Sequence, residues 1–353
     1  MTPTSPYSTL LGRIPVTKHS VLIGASLTTY WEYGTPSNGP TIVMVHGFRG
    51  DHHGLEPVVA HLPGFHMISP DLPGFGESEP LRLSRHDIDG YAGWLQRFVD
   101  ALHLDEVPVL LGHSFGSIVV SAALARTDLS TNQLVLVNPI AAPALSGPRG
   151  ILTRLAVFYY QMGAILPERL GFALLKNRII VRVMSITMAK TKSRSLRRWI
   201  HSEHDRYFSA FSDRDVVLEA FKASVSHDVS EFARSIDVQT LLIAADRDDI
   251  TPVSAQHTLV DLFPDATLKV LPDVGHLIHY ELPARAASLI EKFLVPGENG
   301  AADAVDAADV HDADRIFESG TSADRGADAA DADADADADA GVMRSSDSDE
   351  VSR

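Results

Sequence analysis

The chain has 353 residues, no cysteine and a formal charge of −16. That length suffices for one large α/β domain with an insertion, and the lack of cysteine excludes disulfides, a thiol nucleophile and thiolate metal sites. The charge is uneven. Residues 296–353 hold 17 acidic and 4 basic side chains, a net of −13, so residues 1–295 carry only −3 of the −16, and a near-neutral folded part gives no basis for nucleic-acid binding.

Residues 1–19 read as a loose lead-in. Met1 to Ser20 has no apolar stretch of the kind a secretory leader needs, and no run of about 18 uncharged apolar residues follows. No membrane span is expected, and the cytoplasm is the expected compartment. Val21 to Tyr33 alternates enough for an antiparallel strand pair or one bent strand. Thr41–Val45 reads as a buried strand ending in His46-Gly47-Phe48-Arg49-Gly50, and Phe65–Ser69 as another strand, ending in the Gly/Pro loop Pro70–Ser78. His86 to Leu104 places Ile88, Tyr91, Trp94, Leu95, Phe98 and Leu102 on one helical face. Val107–Leu111 then runs into Gly112-His113-Ser114-Phe115-Gly116, and an apolar helical pattern follows from Ile118 to Ala125. Strand, Gly-x-Ser-x-Gly and helix are the context of a nucleophile elbow, in which a tight turn pushes the serine hydroxyl out of the backbone. Gln133–Val137 is the next buried strand. Continuous apolar strands alternating with helices argue a mainly parallel sheet covered on both faces.

No strand pattern appears from Ala141 to His227. Ile151–Leu166 and Leu170–Met188 read as helices that are apolar over most of their circumference, so residues 141–227 are expected to form an inserted helical cap, with Phe158, Tyr159 and Met162 as substrate-binding candidates in a lipophilic channel. Lys190, Lys192, Arg194, Arg197 and Arg198 follow with no acid between them, a solvated helix face or a contact for an anionic surface. The sheet resumes at Val238–Ala245, followed by Asp246–Pro252. Ala266–Leu271 is the last strand, Pro272–His279 a loop, and Pro283–Phe293 the closing helix. From Pro296 onward the Asp/Ala/Gly/Ser composition cannot bury enough apolar area to offset chain entropy, so a disordered acidic tail is expected over 296–353.

Acyl transfer by serine needs an exposed hydroxyl, a base, an acid to orient the base, and donors for the oxyanion. Ser114, His276 and Asp248 fall at the ends of expected strands in the order Ser, Asp, His, one of the known triad orders. The backbone N–H groups of Phe48 and Phe115 are the candidate oxyanion donors. His46, His113 and Asp71 are read as structural, His52-His53 as an exposed loop pair, and His201-Ser-Glu-His204 as no metal site, because it is not His-Glu-x-x-His. No metal and no cofactor is called for.

His46-Gly47, Asp71–Ser78, Gly112–Gly116, Asp246–Pro252 and Gly275-His276, in this order, resemble the α/β-hydrolase fold superfamily in its cap-bearing branch of serine hydrolases. The resemblance implies a mostly parallel eight-stranded sheet flanked by helices, with the core at 20–140 and 228–295. It places the acid at Asp248, with Asp249 and Asp246 as rivals, and Asn138 closes the alternative position ahead of the cap. The implied activity is cofactor-independent cleavage of an ester of a lipophilic small molecule through an acyl-serine. Carbon–carbon bond hydrolases and cofactor-free haloperoxidases share such a triad, and a slow-turnover ligand sensor could keep it.

Overall fold

The computed structural model describes residues 3–36, 39–142 and 150–295. The acidic segment 296–353 lies outside the described residues, as does the first stretch of the expected cap, 143–149.

Eight strands form one sheet: β1 (Val16–Ile23), β2 (Ser26–Tyr33), β3 (Thr41–Val45), β4 (His66–Pro70), β5 (Val109–His113), β6 (Leu134–Val137), β7 (Thr240–Ala245) and β8 (Ala266–Leu271). Their spatial order is β1-β2-β4-β3-β5-β6-β7-β8. The β1/β2 and β2/β4 pairs are antiparallel, and all others are parallel. The helices are α1 (Ser8–Leu11), α2 (Glu56–Val59), α3 (Ile88–Ala101), α4 (Phe115–Arg126), α5 (Gly150–Ile165), α6 (Glu168–Leu175), α7 (Arg178–Met188), α8 (Arg194–Tyr207), α9 (Arg214–Ser226), α10 (Val253–Val260), α11 (Ile278–Glu281) and α12 (Pro283–Leu294).

The strand period of two splits the core into two layers. In β3, Val43 and Val45 pack with α3 and α4, whereas Ile42 and Met44 pack with α2 and α12. β5 and β6 divide in the same way, Leu110, Leu134 and Leu136 to the first layer and Val109, Leu111, Val135 and Val137 to the second. Every residue of β4 to β7 is buried, which is why β5, β6 and β7 read as mainly apolar runs, while β4 also buries the polar His66 and Ser69. α4 is buried from Phe115 to Ala123, because it lies beneath α3 on one side and against the sheet on the other.

The expected loose lead-in is corrected. Residues 8–11 are helical, β1 already begins at Val16, and the Tyr7 hydroxyl donates to the Tyr280 carbonyl at 2.8 Å. The exposed, mixed side chains of β1 hide the strand in the sequence, because this is an edge strand with only Ile23 buried. Among the described residues between β6 and β7 stand the helices α5 to α9, and the Val229 N–H returns the chain to the core by donating to the Ile140 carbonyl.

Candidate active site

Ser114 stands between the end of β5 and the start of α4 with φ of 52° and ψ of −118°, a backbone conformation that only a tightly packed turn sustains in a residue with a side chain. The packing is visible at the two flanking glycines. A Cβ at Gly112 would lie 2.6 Å from the Gly116 carbonyl oxygen, and one at Gly116 would run into the Val45 carbonyl. The chain therefore admits no side chain at either position without moving β3 or α4.

The Ser114 hydroxyl and His276 Nε2 are 2.8 Å apart, and His276 Nδ1 is 2.8 Å from Asp248 Oδ2. With Nδ1–H donating to the carboxylate, Nε2 is left as an acceptor for the serine proton. Asp248 is held by more than the imidazole. Its Oδ1 accepts from the Ile250 and Thr251 amides at 2.7 and 3.2 Å, and its Oδ2 also accepts from the Asn138 side-chain amide at 3.2 Å. Burial alone would push this carboxyl up. The His276 charge and hydrogen bond, with the two backbone donors, outweigh burial and hold it below the usual carboxylate range. Asp249, the rival acid, instead pairs with Lys190 at 2.7 Å.

The loop after β3 lies against the serine: a Cβ on Gly47 would stand 3.1 Å from Ser114 Cβ. His46 fixes this loop, its Nδ1 donating to the Gly47 carbonyl at 2.8 Å and its Nε2 accepting the Leu72 amide at 2.8 Å. Phe48 follows in the loop, and Phe115 is the first residue of α4, where backbone N–H groups lack partners within the helix. Arg49 has φ of 64° and is only 1% exposed. Its guanidinium donates to the Phe208 carbonyl at 2.9 Å, the Leu175 carbonyl at 2.8 Å and the Tyr160 hydroxyl at 3.2 Å, tying this loop to the helical insertion. A cation in a glycine-rich loop gives no sequence signal of burial, so the sequence does not single out this residue.

A cavity of about 860 Å³ opens at Ser114. The insertion walls it with Ala156 and Tyr160 of α5, Met184 and Met188 of α7, and Phe221 of α9, whose ring stacks on Tyr160 at 3.7 Å. Asp51, Glu203 and Tyr207 add polar groups, and burial pushes the Glu203 carboxyl up. Phe158, Tyr159 and Met162 do not line the cavity, which corrects the expected substrate-binding set. Positions 156 and 160 are one helical turn apart and face inward. Phe158 is 59% exposed on the other side, and the Tyr159 hydroxyl is turned to the Leu174 and Leu175 carbonyls.

The remaining histidines sort by contact. His113 and His279 are buried with rings 4.0 Å apart, and burial, with the charge of nearby histidines, drives both below the ordinary range, His113 to about 3. His201 and His204 both turn Nδ1 to Ser185 Oγ, at 2.6 and 2.7 Å, joining α8 to α7. His52 is buried rather than exposed: its ring stacks on Trp31 at 3.2 Å and its Nδ1 meets Asp71 Oδ1 at 2.9 Å. Asp71 also accepts the His52 and Glu77 amides, a structural brace of the loop after β4. Asp51, His52 and His53 have donor atoms within 4.8 Å of one another, a set of the kind that can hold a divalent cation. Both Nδ1 atoms are already engaged by carboxylates, His52 with Asp71 and His53 with Asp51 at 3.1 Å.

In the expected basic segment, Lys190 faces the cavity and Arg197 donates to the Thr191 carbonyl at 2.8 Å, while Lys192, Arg194 and Arg198 are exposed. The buried Glu281 carboxylate accepts the Lys190 and Thr191 amides at 2.6 and 3.0 Å, so the link between α7 and α8 is fastened to α11, which follows the loop that carries His276.

Similar proteins agree with this architecture. The human monoacylglycerol lipase ABHD6 is 25% identical over 277 residues, covering 75% of this chain and 78% of its own. Lipase 1 of Psychrobacter immobilis is 22% identical over 265 residues, covering 74% and 78%. Among solved structures, a putative lipase from Acinetobacter baumannii superposes with a TM-score of 0.65 at 20% identity, covering 82% of this chain and 93% of that one. A thermophilic esterase from Thermogutta terrifontis superposes with a TM-score of 0.63 at 21% identity, covering 79% and 98%. The family model described as alpha/beta hydrolase family matches residues 42–289, and the chain belongs to that family.

Proposed function

We propose that the chain is a serine hydrolase that cleaves carboxylic esters of lipophilic small molecules, with Ser114 as nucleophile, His276 as general base and acid, and Asp248 as the group that orients and stabilises the imidazolium. One observation carries the reading: the continuous line from the Ser114 hydroxyl through both nitrogens of His276 to the Asp248 carboxylate, each step 2.8 Å, at the floor of a cavity. The Ser114 oxygen attacks the ester carbonyl as its proton passes to His276 Nε2. The Phe48 and Phe115 N–H groups receive the developing oxyanion. His276 returns the proton to the leaving alcohol, then takes one from water as the water oxygen attacks the acyl carbonyl, and passes it to the Ser114 oxygen as the acid leaves.

The cavity supports the choice of substrate. An aliphatic and aromatic wall from Tyr160, Met184, Met188 and Phe221 suits an acyl chain, and Asp51, Glu203 and Tyr207 in the same cavity suit a small hydroxylated alcohol. A glycerol monoester combines the two, as the name of the ABHD6 relative also suggests.

The test is a panel of p-nitrophenyl and glycerol esters graded by acyl length, with a fluorophosphonate probe to identify the labelled serine. Labelling of Ser114 is expected, with a loss of about a millionfold in turnover for Ser114→Ala. Equal turnover by the two proteins would overturn the reading.

A further inference from the structure

Helices α5 and α7 each present two apolar stripes where a helix over a cavity needs one. Ala156 and Tyr160 on α5, and Met184 and Met188 on α7, face the cavity. On the opposite side of the same helices, Leu155, Phe158 and Ile165, and Ile179, Val183 and Ile186, recur at helical spacing and are 57–77% exposed. Leu170 of α6, 59% exposed, joins them, so seven of the fifteen large exposed apolar side chains among the described residues fall in these three helices. A stripe of this period ordinarily faces a packed partner.

The charge around these stripes is one-sided. Residues 150–202 hold ten Lys and Arg and a single acid, Glu168, a net of +9, whereas the rest of residues 1–295 sums to −12. Among the described residues Arg182 pairs with Asp205 and Lys190 with Asp249, Arg197 donates to the Thr191 carbonyl, and Lys176 lies over the Phe172 and Phe211 rings. Arg154, Arg169, Arg178, Lys192, Arg194 and Arg198 are exposed.

We propose that the outer face of α5 to α7 is a docking surface for an anionic lipid bilayer. Aliphatic and Phe side chains enter the acyl boundary, and the flanking guanidinium and ammonium groups meet lipid phosphates. The chemistry selects this occupant over the others. A second copy of the chain would bring the same cations to a two-fold contact and be repelled. The chain's own segment 296–353 matches the charge but brings few large apolar side chains. No helix among the described residues is long and apolar enough to cross a membrane, so the contact is with the surface.

The test is co-sedimentation of the full chain with phosphatidylglycerol/phosphatidylcholine vesicles and with phosphatidylcholine vesicles alone. Binding to the anionic vesicles is expected, weaker on the neutral ones and weakened by 0.5 M salt. Both the Ile179→Ser/Val183→Ser/Ile186→Ser variant and the Arg194→Glu/Arg198→Glu variant are expected to lose about tenfold or more in vesicle affinity. Turnover of a water-soluble ester should stay within about twofold in both, because neither set touches the line at Ser114. That readout separates loss of docking from misfolding and from failure of the hydrolase reading. Absence of vesicle binding by the full chain, or binding unchanged in both variants, would overturn the proposal. So would a dimer in sedimentation velocity that the triple variant dissolves, which assigns the face to a second copy. Vesicle binding that appears only after removal of residues 296–353 would assign it to the acidic segment.

Discussion

The Arg49 guanidinium donates to the Tyr160 hydroxyl at 3.2 Å, joining the residue after the candidate oxyanion donor Phe48 to the aromatic wall of the cavity. The same guanidinium holds the Leu175 and Phe208 carbonyls, so one side chain spans the loop after β3, α5, the end of α6 and the end of α8. Removing it takes the donor from the Phe208 carbonyl and the buried Tyr160 hydroxyl, a loss of about 1–3 kcal/mol each, while the Leu175 carbonyl keeps the Tyr159 hydroxyl at 2.9 Å. Arg49→Gly keeps the left-handed backbone at φ of 64° while deleting the ties. This variant is expected to unfold at a lower temperature and to lose kcat more than it raises KM, because the donor loop loses its anchor. Arg49→Lys should recover only part of the loss, since an ammonium cannot reproduce the fork. Calorimetry with steady-state kinetics on a soluble ester checks this, and wild-type kcat in Arg49→Gly would refute it.

The two neighbouring aspartates are expected to separate cleanly. Asp248→Asn should lower kcat by about 10⁴-fold, because His276 Nδ1–H loses its ionised acceptor. Asp249→Asn should stay within about fivefold on a soluble ester, because its carboxylate pairs with Lys190 in a half-buried contact and does not meet His276. Equal losses in the two variants would mean that Asp249 shares the acid's work.

Asn138 offers a sharper probe of the acid. Its amide donates to Asp248 Oδ2 at 3.2 Å. Asn138→Asp replaces a donor with a second carboxylate, which pushes the pair toward sharing a proton. Turnover should fall by about tenfold or more near pH 6 and recover partly as pH rises. Asn138→Ala, which removes the donor without adding charge, should fall less and show no new pH dependence. Identical pH profiles for the two variants would count against the account.

Stability is expected to fall in acid, and the buried imidazoles set the window. His113 and His204 both titrate at about 3 when folded, driven down by burial and by neighbouring histidines. The unfolded chain takes up these protons near pH 6.5, so between about 6.5 and 3 it binds more protons than the folded one. Stability therefore falls as pH drops through this range, by up to about 1.4 kcal/mol per pH unit for each group. The unfolding midpoint should be level above pH 7 and decline below 6. His204→Gln should flatten the decline, and an unchanged slope in that variant would overturn the assignment.

Most of what builds the site is legible in the sequence for one reason: it sits at strand ends. The unbroken apolar runs of β3, β5, β6 and β7 announce themselves, and the residues that follow each run are carried to one edge of the sheet. What stayed hidden has a physical cause in each case. The apolar circumference of α5 conceals its phase, so Phe158 and Met162 were expected where Tyr160 and Ala156 stand. His52 is buried only because Trp31, from a strand far off in the chain, supplies the ring above it. Arg49 gives no sign of burial, because its three acceptors come from positions more than a hundred residues away. The first half of β1, Val16 to His19, reads as lead-in because an edge strand with one face in water shows no apolar run.

The burial of α4 bears on how such a protein could be redirected to other substrates. Phe115 to Ala123 touch neighbours on every side, so the seat of Ser114 tolerates almost no redesign, whereas Ala156, Tyr160, Met184 and Met188 border open space. A combinatorial library confined to those four positions would diversify selectivity without disturbing the machinery beneath, and the variants that still fold should far outnumber those from an equal library drawn from α4.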